Sequence, residues 1–232
     1  MAKLEIRRAA LSNGLVVLGS ENHTHPSAVL RLSMRAAPIL DTPEKAGLAA
    51  LTASGLTRGT KTRSFEEINE AVDAAGMSLS SGAGRHLASA SLRCRADDLQ
   101  MGIELMADVV RNPVFPKPEI DQLRGQTLTG LRQADNDTGS VADRHFRELI
   151  YPEGHPYRLR THGYQETVAP LTRSALAAFH EAHYGPAGAY CVVVGDVLFE
   201  DVVQRLEDAL GSWKAGGAEA ISVGSPPAPT PV

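Results

Sequence analysis

Apolar and polar residues alternate along the first third of the chain. Leu15-Val16-Val17-Leu18 follows the turn signal Ser12-Asn13-Gly14 and reads as a strand. Leu30, Leu32 and Met34 then point one way while Arg31, Ser33 and Arg35 point the other, as in a half-buried antiparallel strand. After Asp41-Thr42-Pro43 the period changes, and Leu48 and Leu51 among small residues predict a helix from about Lys45 to Leu56. Ser64-Phe65-Glu66-Glu67 is a capping box that opens a helix with the stripe Phe65, Ile68, Val72 and Ala75, closed by Gly76.

The segments 77–83 and 86–94 read as a hairpin. Asp97 is placed to cap the next helix, whose stripe is Leu99, Ile103, Met106, Ala107 and Val110 and which Asn112-Pro113 stops. Further helices are predicted over about 118–134, 140–149 and 172–184. Ala189-Tyr190-Cys191-Val192-Val193-Val194 is a continuous apolar run, predicting a central strand, and a last helix carries Val202, Val203, Leu206 and Leu210. The order implies an α+β layer fold: a mostly antiparallel sheet with helices packed on one face. From Ala215 onward the chain turns to Gly, Ala, Ser and Pro, so residues 1–214 read as one folded domain and 215–232 as a linker toward a second domain.

With 232 residues, 43% of them apolar, the chain can bury a substantial core. The net charge of -4 comes from acidic and basic residues interspersed along the sequence. That distribution excludes a nucleic-acid groove or a polybasic membrane patch. The N-terminal residues lack the apolar core of a signal peptide, and no stretch has the ~18 uninterrupted apolar residues of a membrane span, so the expected protein is soluble. Cys94 and Cys191 fall in predicted strands and read as small buried hydrophobes.

Four stretches carry a family resemblance in order and spacing. They are Leu11-Ser12-Asn13-Gly14-Leu15-Val16-Val17; the segment 41–60 with Gly47-Leu48-Ala49 and Arg58-Gly59-Thr60; His155-Pro156-Tyr157 followed by Gly163; and Phe179-His180 through Tyr184-Gly185-Pro186 to Val192-Val193-Val194-Gly195-Asp196-Val197. Together the chain resembles the N-terminal domain of the pitrilysin/insulinase-like, mitochondrial-processing-peptidase-like zinc peptidases. The resemblance implies an inverzincin-like metallopeptidase fold and an H-x-x-E-H helix, in which two histidines bind zinc and the glutamate activates the metal-bound water. That motif falls on Ala50-Leu51-Thr52-Ala53-Ser54, so Ala50 and Ser54 stand for the histidines and Ala53 for the base. The distal glutamate ligand falls at or next to Gly130, in Thr129-Gly130-Leu131-Arg132. Zinc held by several protein ligands is worth roughly 10–16 kcal/mol, which Ala, Ser and Gly side chains cannot supply. No catalytic residue, metal or cofactor is expected here.

Other histidines offer weak substitutes. His180 and His183 are three apart on the face of Leu176 and Phe179 and read as packed helix histidines, while His23 and His25 lie in a polar loop. His145 and His155 lack a neighbouring carboxylate–histidine set, and Ser54 has no accompanying base. The resemblance implies a non-catalytic subunit or domain that helps enclose a peptide substrate and pairs with a zinc-bearing homologous subunit or its own second domain. The alternatives are a structural, scaffold subunit of a larger complex and a metallopeptidase with a relocated metal site.

Overall fold

The computed structural model describes residues 5–214, 216 and 223. Six strands form one sheet: β1 (Arg7–Ala10), β2 (Val16–Glu21), β3 (Ser27–Met34), β4 (Ser78–Ala83), β5 (Ala88–Arg95) and β6 (Tyr190–Gly195). Their order across the sheet is β1-β2-β6-β3-β5-β4, with β2 and β6 parallel and every other neighbour antiparallel. The apolar run 189–194 thus becomes a central strand, set between Val16–Glu21 and Ser27–Met34. Strand β1 was not anticipated from the sequence, because Arg7-Arg8-Ala9-Ala10 at the sheet edge has no apolar alternation.

One face of the sheet is dry. Val17, Leu30, Leu32, Met34, Ala90, Leu92, Cys191 and Val193 are buried, while Val29 and Val194 on the other face are each 42% exposed. The buried face is covered by α1 (Leu48–Gly55), α3 (Leu99–Arg111) and α8 (Phe199–Leu210). Close approach here requires glycine twice. A Cβ on Gly19 would strike the Phe199 and Val193 side chains, and one on Gly102 would strike Leu92. Outside this layer lie α2 (Phe65–Ala74), α4 (Lys117–Asp135), α5 (Thr138–Ile150), the single-turn α6 (Gln165–Val168) and α7 (Arg173–His183).

Local signals account for most element ends. Ser64 Oγ accepts from Glu67 N while the Glu67 carboxylate accepts from Ser64 N, the capping box read in the sequence. Asp97 does not cap α3: its carboxylate takes Arg95 at 3.0 Å, and a 3-10 turn over Ala96–Asp98 leads into the helix. Helix α1 begins at Leu48, later than the pattern suggested, because Pro43–Lys45 forms its own 3-10 turn and Gly47 takes a left-handed φ of 96°. Of the tail 215–232, read as a linker, all but Gly216 and Val223 lies outside the described residues.

Two glycines should respond oppositely to substitution. Gly163 (φ 73°) lies against the Ala46 carbonyl, so Gly163→Ala should destabilise the protein by about 2 kcal/mol or more. Gly130 is exposed inside α4 with nothing within 4 Å of a built Cβ, so Gly130→Ala should stabilise it by about 0.5–1 kcal/mol. Urea unfolding of both variants checks the pair of signs.

Candidate functional site

The site predicted from the sequence lies on α1 and α4, which pack against each other. All of α1 except Ser54 is buried, with Ala50 4% and Ala53 0% exposed. Ala50 and Ala53, aligned with a histidine and the base of the resembled motif, are thus covered by neighbouring atoms, while Ser54 is half-exposed. Gly55 follows on the same helix, and a Cβ there would press on Phe115 and Ile120. Phe115 is itself held in a left-handed conformation (φ 49°) with its ring buried.

Position 130 is different. Gly130 faces a cleft of about 490 Å³ lined also by Arg85, Arg147, Arg160, Asp143 and His162. Ala50, Ala53 and Ser54 are absent from that lining, so the aligned positions differ in setting: Ala50 and Ala53 are buried, and Gly130 borders an open cleft. Arg85 Nη1 donates to the carbonyls of Pro156 (3.2 Å) and Leu159 (3.1 Å). Arg147 grips Asp143 with Nε and Nη2, at 2.8 and 3.2 Å. Arg160 Nη1 donates to Asp135 (3.0 Å), which also accepts from Arg144 and Gln165. Burial, and then the nearby charge of Arg147, lower the pKa of Arg85. Hydrogen bonding from Gln165 and Arg160 holds the Asp135 carboxyl below its ordinary value.

The start of α1 is fixed by Asp41, which in the sequence marks only the point where the period changes. The buried Asp41 carboxylate accepts from the backbone N–H groups of Gly47 (2.8 Å) and Ala49 (3.0 Å), satisfying donors that the first turn leaves free. Opposite it, Thr167 Oγ1 donates to the Ala46 carbonyl at 2.7 Å, tying the α6 segment to the same turn. Burial raises the Asp41 carboxyl from 3.8 to about 7, against the pull of the two N–H bonds.

Four of the histidines weighed in the sequence, His180, His183, His23 and His145, have ordinary partners. His180 Nε2 donates to the Val110 carbonyl at 2.7 Å, and its ring stacks on Tyr184; burial lowers its pKa. His183 packs on Phe179. Both are packed as expected of that pair, and His180 is hydrogen-bonded. His23 bonds Asp196 at 2.6 Å, and His145 lies 3.2 Å from Glu148. Among the described residues, no three or more His, Cys, Asp and Glu side chains gather in a way that could hold a metal. Burial pushes the thiols of Cys94 and Cys191 up to about 11 and about 12, so both are inert buried side chains. Among the described residues no helix is long and apolar enough to cross a membrane.

Comparison with known proteins places this geometry. Residues 16–155 match the insulinase (peptidase family M16) profile, and residues 170–232 match the peptidase M16 inactive domain. The chain belongs to peptidase family M16. Its relatives include an uncharacterized zinc protease of Mycobacterium leprae, 26% identical over 75% of this chain and 39% of that protein. Another, an uncharacterized zinc protease of Streptomyces coelicolor, is 23% identical over 94% of this chain and 48% of its own length. Subunit 1 of the rat mitochondrial cytochrome b-c1 complex is 23% identical over 90% of this chain and 43% of its own. The chain thus spans half or less of the length of these relatives. Among solved structures, a peptidase M16 inactive domain from Pseudomonas fluorescens superimposes with a TM-score of 0.89 at 26% identity, over 97% of this chain and 54% of that one. A periplasmic protease from Escherichia coli shares the fold, with a TM-score of 0.83 at 18% identity over 96% of this chain and 26% of its own.

The Asp41 clamp carries a pH signature. The folded protein keeps the Asp41 proton up to about pH 7, where the unfolded chain has already released it. This group therefore withdraws stability as pH rises from about 4 to about 7, by at most about 4 kcal/mol. Asp41→Asn removes the titration, so its stability relative to the parent should improve by about 2–4 kcal/mol between pH 4.5 and pH 8. Urea unfolding of both proteins at the two pH values measures the difference, and a pH-independent offset would contradict the burial argument.

Proposed function

We propose that this chain is a non-catalytic, zinc-site-degenerate part of an M16 peptidase, a subunit or domain that helps enclose peptide substrate beside a zinc-bearing homologue. The observation that carries the reading is the identity of four positions. Ala50, Ala53, Ser54 and Gly130 stand where the family's two histidines, general base and distal glutamate would be. None of the four can donate a lone pair of the strength zinc needs, and without a metal-bound water there is neither nucleophile nor Lewis acid. The burial of Ala50 and Ala53 supports the reading further, since neighbouring atoms already cover both side chains. The zinc-protease names of the relatives fit a partner that supplies the chemistry, and the chain's span of about half their length fits a unit that works beside a second domain.

A second reading, a structural subunit of a larger complex, is favoured by the likeness to subunit 1 of the cytochrome b-c1 complex. Co-purification separates the two. Recovery with a zinc-bearing M16 chain, and peptide cleavage that needs both, supports the first; recovery only in an assembly without peptidase activity supports the second.

Restoring the motif tests the site assignment. The triple variant Ala50→His, Ala53→Glu, Ser54→His should lose about 3 kcal/mol or more of stability by overpacking a filled face. It should also bind zinc weakly, because Gly130 still withholds the distal ligand. Tight stoichiometric zinc in a triple variant as stable as its parent, measured by competition with a chromophoric chelator, would show that the distal ligand lies elsewhere.

A further inference from the structure

The open half of the site has acquired a chemistry of its own. Three guanidinium groups converge on the cleft from separate parts of the chain: Arg85 from the turn between β4 and β5, Arg147 from α5 and Arg160 from the segment before α6. The lining contains one carboxylate, Asp143, held by Arg147. Asp135 answers Arg160 but is shared with Arg144 and Gln165. Among the described residues, no protein acceptor meets Nη1 of Arg147, or Nε and Nη2 of Arg85. Arg85 and Arg147 repel each other in a partly buried setting, an unfavourable arrangement that a bound anion would relieve.

Gly130 supplies the room. A side chain at that position would project into empty space, since nothing lies within 4 Å of its Cβ. A position where the family carries a carboxylate is bare and faces cations, so a carboxylate from another molecule fits both the volume and the charge. We propose that this cleft binds a side-chain carboxylate of an extended peptide through Arg85, Arg147 and Arg160, over Gly130. Guanidinium forks match a carboxylate in bidentate geometry, and the match gives orientation as well as affinity. Phe146 (60% exposed) and Leu149 (86%) stand on the helix that brings Arg147 to the cleft, outside the cleft's own lining, and offer apolar contacts to a peptide that continues beyond it, which a free inorganic anion would not use. The peptide identity rests on the enclosure role proposed above; the anion site itself does not.

The test uses the 232-residue chain without any zinc-bearing partner, so failure of pairing and failure of this site are separate results. The probe is a fluorescent hexapeptide with both ends blocked and one central glutamate, compared with its glutamine counterpart by anisotropy. The glutamate peptide should bind at least about tenfold tighter, as expected for one charge-assisted pair. Arg147→Gln and Gly130→Glu should each erase that preference. Gly130→Glu should do so with an unchanged or raised melting temperature, because it adds a better helix former and supplies its own carboxylate to the arginines. Equal binding of the two peptides would overturn the proposal. So would a preference that survives Gly130→Glu, or inorganic phosphate that binds more tightly than the glutamate peptide.

Discussion

The buried Asp41 carboxylate is the contact on which the site depends. It sits six residues before the helix turn it serves and accepts from Gly47 and Ala49, so the chain from the 3-10 turn at Pro43–Lys45 into α1 has a single geometry. Gly47 and Gly163 take left-handed conformations and let the segment around 162–167 lie against that turn, where Thr167 bonds the Ala46 carbonyl. A helix start held from both sides sets the rotation of α1, and hence which residues face the sheet and which face α4 and α7. The helix is fixed by backbone hydrogen bonds and packing.

That packing explains why the two halves of the site differ. Small side chains at 50 and 53 let neighbouring elements pack closely on the helix, and both are buried. A small residue at 130, on an exposed stretch of α4, leaves volume that nothing fills, and arginines from three distant segments border it. Small residues at 50 and 53 add to the core; glycine at 130 borders an electropositive cleft.

Much of the fold was legible because periodicity carried it. The alternation at Leu30, Leu32 and Met34, the stripe from Leu99 to Val110, the capping box at Ser64 and the apolar run 189–194 each became the element they predicted. The errors share a cause. Asp97 met the local rule for a helix cap and was drawn instead to Arg95, while Asp41 caps a helix from a distance no local rule inspects. The cleft was invisible for the same reason: Arg85, Arg147 and Arg160 have no common spacing, and the topology alone brings them together. Any significance of positions 50, 53, 54 and 130 is readable only through the family pattern, since an alanine-rich helix by itself signals packing and nothing more.

The central claim is that this member of the M16 family cannot supply zinc chemistry itself. The most direct measurement is elemental mass spectrometry of the purified chain after exposure to zinc and desalting. The account predicts less than about a tenth of an equivalent of zinc, since the substituted positions leave no set of ligands strong enough to retain it. Zinc close to one equivalent per chain would contradict it and would place a metal site among residues to which this account gives structural roles.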